Sequence, residues 1–497
     1  MLANLKRSGA GIGFAFFGLS FAQTANAEVV LLEKDGWTFS TTGRIGAFVH
    51  VGMGDDFPIA EPTDPAMPNN RPAVMGTGGG RSPDEPSSFG WQSERQADAE
   101  NKFFGMRVRS GFVSNVLGFA LARDIDDATR VKGLISIWAP IESLGRDKWY
   151  PVPADIREAF LTISGRFGEV TAGRNYALIG RTSYEIDYLY GHGFSVGFPC
   201  ADAVGPSCGQ VGVGALHPGF GAGLTYKTPN LGGVAFELGL YDPVRMASGA
   251  NATGGLSYER VPFLRPEAAL TFDTALGTAG KLKIGVEGAY QPVGLVAEED
   301  ADGDPATPPV PTETNDSIWA VSGGARIEVG PVRLGAAVFH GKGVGLTYAF
   351  QSTDASGGPG VLTTVDPTTG VASQTLDTGH PEIRAFTGAH GQAALVFGKL
   401  QIGAGGGIAM VDQIASDPIN AGLSVGKQQV GISVTAYYHL SDAVVLGADY
   451  MRFMATWRGS PATVTDPNTM APVLTGQYRA AEEQALNFIS AGVTYHW

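Results

Sequence analysis

Past residue 27 the sequence has no run of the roughly 18 uninterrupted apolar residues that a membrane-crossing helix needs, yet it repeats one pattern throughout: alternate residues are apolar. In an extended strand, successive side chains point to opposite faces. The last segment shows the pattern most plainly. Ile489, Ala491, Val493, Tyr495 and Trp497 share one face, while Ser490, Gly492, Thr494 and His496 share the other, with Phe488 as the misfit on the polar side. Strands with one face for lipid and one for water can cross a bilayer only as a closed barrel, because every backbone polar group in lipid must find a partner in the protein.

The alternation recurs over residues 37–51, 115–123, 130–139, 156–164, 169–174, 220–227, 234–241, 264–274, 281–291, 318–329, 332–340, 382–397, 400–411, 430–440, 444–453 and 487–497. The connections alternate long and short, the short ones being tight turns such as Gly330-Pro331, Gly398-Lys399 and Ser441-Asp442-Ala443. This rhythm predicts an all-β fold: a transmembrane antiparallel β-barrel of 16 strands with short periplasmic turns and long extracellular loops. The two faces differ in chemistry. Leu282, Ile284, Val286 and Tyr290 oppose Lys283, Glu287 and Gln291. An Arg or Lys at the lipid midplane costs about 2–4 kcal/mol, so the charged face should be the lumen. Tyr290, Tyr438, Tyr450, Tyr495 and Trp497 should form aromatic girdles. A soluble β-sandwich would also alternate, with its polar face outside, but it explains neither the aromatic strand tips nor the loop asymmetry.

Composition supports the same fold. The chain holds 71 glycines in 497 residues, about twice the usual ~7%, and glycine disfavours helix while tolerating tightly packed, curved strands. Lys6 and Arg7, an apolar run and Ala25-Asn26-Ala27 read as a signal peptide over residues 1–27, leaving 28–497 as a single barrel domain. Its removal takes the formal net charge from −14 to −16, unsuited to nucleic-acid phosphates. The two cysteines, Cys200 and Cys208, lie close together in a Gly/Pro-rich stretch of an exported chain, which favours a local disulfide over metal ligation.

The segment from Arg157 to Gly165, REAFLTISG, followed by Phe167 to Tyr176, FGEVTAGRNY, resembles the Gram-negative general porins just before their third loop. The terminal strand ending on Trp497 resembles that family's signal for the barrel-insertion machinery. The resemblance implies a homotrimer in the outer membrane, in contact with lipid and lipopolysaccharide, passing small hydrophilic solutes and ions without cofactor or catalysis. It also implies that the third loop, about residues 175–216, folds into the barrel as a constriction in which Glu185, Asp187 and Asp202 face basic wall residues. The wall candidates are Arg44 by alternation, Lys132, and Arg174 by position in the family pattern. Arg174 shares the outward set of Val170 and Ala172, so it needs a bulge at Gly173 to turn inward. Alternation places Glu158, Phe160 and Thr162 in the lumen and leaves Arg157 off it.

Two motifs remain. Gly193-Phe194-Ser195-Val196-Gly197 matches the nucleophile-elbow pattern, which works only at a strand-to-helix turn over a parallel sheet. Asp300, Asp302 and Asp304 offer oxygen ligands for calcium without the spacing of an EF-hand, so a solvated loop is the default and no other metal site is expected. The competing function is a barrel enzyme or adhesin whose lumen is plugged by loop.

Overall fold

The computed structural model describes residues 28–55, 102–112, 115–139, 141, 155–191, 195–197, 208–244, 246–247, 257–258, 263–299, 310–347, 349–350, 358–365, 367–368, 370, 372–415, 426–457, 461–465, 472–478 and 483–497. Residues 1–27, expected to be a signal peptide, and Cys200, Asp202, Asp300, Asp302 and Asp304 lie outside them.

In chain order the strands are β1 (Val29–Lys34), β2 (Trp37–Asp55), β3 (Lys102–Arg109), β4 (Asn115–Asp124), β5 (Arg130–Ala139), β6 (Asp155–Gly165), β7 (Gly168–Tyr176), β8 (Phe220–Lys227) and β9 (Val234–Tyr241). After the short pair β10 (Met246–Ala247) and β11 (Ser257–Tyr258) come β12 (Arg265–Ala275), β13 (Gly280–Glu299), β14 (Val310–Val329) and β15 (Val332–Lys342). The pair β16 (Gly358–Val365) and β17 (Ala372–Glu382) precedes β18 (Ala385–Phe397), β19 (Leu400–Val411), β20 (Gly426–His439) and β21 (Val444–Trp457). Last are β22 (Pro461–Thr465), β23 (Pro472–Tyr478) and β24 (Glu483–His496). One five-residue helix, α1 (Arg181–Glu185), follows β7.

Neighbouring strands pair antiparallel, and β2 closes the sheet on β24 from Arg44↔His496 to Gly54↔Leu486. The result is a closed 16-strand barrel, as the alternation implies. β3 and β4 share one stave, since the upper part of β2 pairs with β3 and the lower part with β4. β1 carries the pairing of β2 on below Trp497, beyond the point where Trp497 and Gly43 exchange backbone hydrogen bonds. The pairs β10–β11, β16–β17 and β22–β23 form separate two-stranded sheets within long connections. β1 and β3 lie outside the sixteen alternating segments, and β13 and β14 run past the alternating segment to Glu299 and from Val310. There the hydrogen-bonded ladder continues although the two-faced pattern has stopped.

The outer wall is apolar: Ile45, Val49, Ile135, Leu161, Leu224, Val286, Val338, Ile432 and Ile489 are all exposed. Polar residues on the opposite face of the sheet, including Arg44, His50, Glu158, Glu287, Gln392, Gln401 and Asp449, are buried inside. One irregularity matters below. The β5–β6 register shifts between Ser136 and Ile137, making Arg157 an extra residue in β6.

Candidate constriction site

After Tyr176 the chain turns into the barrel instead of rising from its rim. Ala177, Leu178, Ile179, Ile186, Leu189, Tyr190, Val196, Val213 and Leu216 are fully buried there, and α1 packs on β13, β14 and β15. Glycines on the inner wall make room for it. A Cβ at Gly285 would run into the Thr182 side chain, and one at Gly335 would lie 2.8 Å from the carbonyl oxygen of Ile186.

Wall carboxylates hold this loop by its backbone. Glu267 accepts the N–H groups of Leu178 at 2.6 Å and Ile179 at 3.1 Å. Glu287 accepts the N–H groups of Gly180 at 3.1 Å and Thr182 at 2.6 Å, and also the hydroxyls of Thr182 and Ser322. Gln392 accepts from Tyr188 at 2.9 Å and Leu189 at 3.1 Å, while Gln401 donates to the carbonyl of Tyr188 at 2.8 Å. Asp449 accepts from Val196 and Gly197 at 3.1 and 3.2 Å and from the hydroxyls of Ser195 and Ser490. Irregular backbone at membrane depth needs such partners.

α1 carries a charge of each sign toward different parts of the wall. Arg181 Nη1 lies 2.8 Å from Glu237 Oε2 on β9. Glu237 stands opposite Lys227, and Lys227 opposite Glu169, so the row alternates in sign. At the other end Glu185 pairs with Lys283, and its carbonyl accepts from Arg326 at 3.1 Å. Lys283 and Arg326 are directly opposed in register on β13 and β14. Burial works against the charge of Glu185, but Lys283, Arg181 and Arg326 outweigh it and hold its carboxyl below the usual range. For Arg181, Glu237, Tyr241 and Glu185 overcome the burial that disfavours its charge and raise its pKa.

The sequence candidates separate. Glu185 keeps 18% of its side chain exposed beside Lys283. Asp187 is only 3% exposed and turns back into its own loop, accepting the N–H groups of Leu189 at 2.9 Å and Tyr190 at 3.0 Å. Arg44 is inside the barrel but buried, donating to the carbonyl of Phe112 at 2.5 Å. Lys132 is inside and lower down, opposite Thr162, paired with Glu28. Arg174 is corrected: it is exposed on the outer wall between Ala159 and Ala222. Gly173 does have a φ of +127°, but the pairing of β7 with β6 and β8 runs through it without a slip, so nothing rotates Arg174 inward. Arg157 takes the inward position instead. The bulge in β6 lays its guanidinium over the rings of Trp138 and Phe220, 5.0 and 5.7 Å from their centroids. No sequence signal marks that bulge. Cys208 is buried and disulfide-bonded, and Cys200 is the chain's other cysteine. Ser195, the residue of the elbow-like motif, is buried as one of the donors to Asp449.

Burial pushes the Asp187 carboxyl up to about 6 against the backbone N–H groups that favour its charge. An acid with a raised folded pKa holds its proton longer folded than unfolded, so it contributes stability below the unfolded pKa of 3.8 that is lost as pH rises through about 6. Acidification from pH 7 to 5 should therefore raise the unfolding temperature of the wild type more than that of Asp187→Asn. The difference, read by heat-modified gel mobility, should correspond to about 1.4 kcal/mol, since pH 5 lies about one unit below the folded value.

A family model for Gram-negative porins matches residues 15–456. The chain belongs to the Gram-negative porin family. It is an outer-membrane channel through which solutes diffuse, and the fold and family are those of channel proteins rather than enzymes. No curated protein matches the sequence. Among solved structures, the porin resembles the outer membrane channel DcaP of Acinetobacter baumannii at 12% identity and a TM-score of 0.56, over 94% of this chain and 100% of that one. It also resembles an anion-selective porin from Comamonas acidovorans at 12% identity and a TM-score of 0.50, over 93% of this chain and 100% of that one. At such identity these likenesses speak to the fold of the porin alone.

Proposed function

We propose that small hydrophilic solutes and ions pass this barrel by diffusion through a constriction set by α1. The observation that carries the reading is the bipolar helix, with Arg181 against Glu237 and Glu185 against Lys283 and Arg326. Opposed charges across a narrow aqueous gap set up a transverse field that orders water and disfavours apolar solutes. Each cation here has an acid beside it, which suits a channel of mixed-charge lining better than one built around a single dominant sign.

The working unit in this proposal is a homotrimer in contact with outer-membrane lipid and lipopolysaccharide, with the β24 strand as the segment read by the insertion machinery. Arg174 supports the trimer. It sits six residues above Gly168, which at about 3.3 Å per residue and a tilt of about 40° places it about 15 Å up, near the middle of an apolar band ~25 Å tall. A charge facing lipid there costs about 2–4 kcal/mol. Cover by a second copy removes that cost, and the small residues Ala159, Ala172 and Ala222 beside it allow close approach.

Planar-bilayer recording should show stable steps grouped in threes, and folded protein that never conducts would sink the channel reading. In this proposal the covering copy also supplies an acceptor to the guanidinium, so Arg174→Leu should lower the trimer's dissociation temperature. A rise instead would mean that Arg174 faces lipid.

A further inference from the structure

A second segment also enters the lumen. After β15 the chain turns inward over residues 343–350, of which 343–347 and 349–350 are described. The N–H of Gly343 donates to Arg384 at 2.8 Å. Val344, Leu346, Ala349 and Phe350 are buried, and the N–H of Phe350 closes the turn on the carbonyl of Val344 at 3.0 Å. Phe350 has a φ of +58°, a left-handed conformation that is unfavourable for a non-glycine residue and persists only where the surroundings impose it.

What surrounds it is the constriction loop. His217, on the limb that leads back to β8, donates its N–H to Thr347 at 2.8 Å and accepts from the N–H of Ala349 at 3.0 Å. The Phe350 ring lies under the Arg265 guanidinium, 5.4 Å from its centroid, and Arg265 also covers Tyr241 at 5.7 Å. Arg265 Nε lies 2.7 Å from Glu267 Oε1, and Glu267 is the carboxylate that accepts Leu178 and Ile179 on the outgoing limb. One hook therefore touches both limbs of the loop that carries α1, the return limb through backbone bonds and the outgoing limb through Phe350, Arg265 and Glu267.

We propose that residues 343–347 and 349–350 form a second internal pore element, a hook that clips both limbs of the constriction loop and so sets the aperture beside α1, with Phe350 and Arg265 as positioning residues. This rests on the reading of α1 as the constriction. The hook is joined to the barrel at β15, three staves from β12, where Glu267 stands. It thereby couples loop position to packing across the lumen.

The test is single-channel conductance of the full-length protein carrying Phe350→Ala or Ala349→Pro, the latter lacking the N–H that His217 accepts, beside Glu287→Ala, which releases α1 directly. Folding is checked by heat-modified gel mobility. Phe350→Ala should raise conductance about 1.5-fold or more through loosened packing of a buried aromatic, with added open-channel noise and an altered cation-to-anion permeability ratio. A merely structural role would lower heat resistance and leave all three unchanged. If Glu287→Ala raises conductance and the two hook variants do not, the hook is overturned while the constriction stands; if none of the three changes conductance, both fall. Should the hook variants not fold, hydrogen exchange of the wild-type protein decides. The amides of His217 and Ala349 should exchange as slowly as those of the strands, and rapid exchange overturns the proposal.

Discussion

Glu287→Ala should raise single-channel conductance about twofold or more and make the open channel noisy, because the carboxylate serves four donors from two elements and each bond to a charged acceptor is worth about 1.5–3 kcal/mol. Without it, the N–H of Gly180 keeps only its bond to Ser322 Oγ at 3.2 Å, the N–H of Thr182 must find water, and the start of α1 leaves the wall. The barrel should stay closed, since the β12–β13 and β13–β14 ladders run through this position on backbone bonds alone. Glu287→Gln, which retains an acceptor oxygen, should show the smaller effect. An unchanged conductance in the alanine variant would mean that α1 does not narrow the path.

Glu185→Gln should shift the reversal potential under a salt gradient toward anions, by about twofold in permeability ratio if the acid lies at the narrowest point. It leaves Lys283, Arg326 and Arg181 around a neutral amide. Asp187→Asn, two residues further on, should leave selectivity unchanged, because its carboxylate is spent on the N–H groups of Leu189 and Tyr190. Equal shifts in both variants would contradict this division. The sequence treats the two acids alike, and only the direction each side chain takes separates them.

Alternation made the staves legible because lipid on one side and water on the other select side chains residue by residue. β1 escaped because that selection is weak there, all six of its residues being exposed; β3 does carry the pattern, with Phe104, Met106 and Val108 exposed on the outer wall and Arg109 buried, but it is short and lies at the end of the long Gly/Pro/Asp-rich stretch after β2. The site was less legible. Glu287 reads only as a lumen charge, and nothing in the strands of Glu267, Glu287 and Asp449 says that they would receive another segment's backbone. The glycine content pointed to tight strands; the structure adds a second use at Gly285 and Gly335, where the loop's atoms occupy the space of a side chain.

The terminal strand shows the division most simply. Its sequence determines which face meets lipid and, through repetition over sixteen segments, that the sheet must close, because both follow from local side-chain chemistry and the unmet hydrogen bonds of an open edge. Which charges face each other inside was decided by tertiary structure. A one-residue bulge brought Arg157 inward, an unbroken register kept Arg174 out, and the path of α1 chose Glu237, Lys283 and Arg326 as partners. Those pairings join residues far apart in the chain, so no local pattern encodes them; they exist only once the wall is closed around the loop.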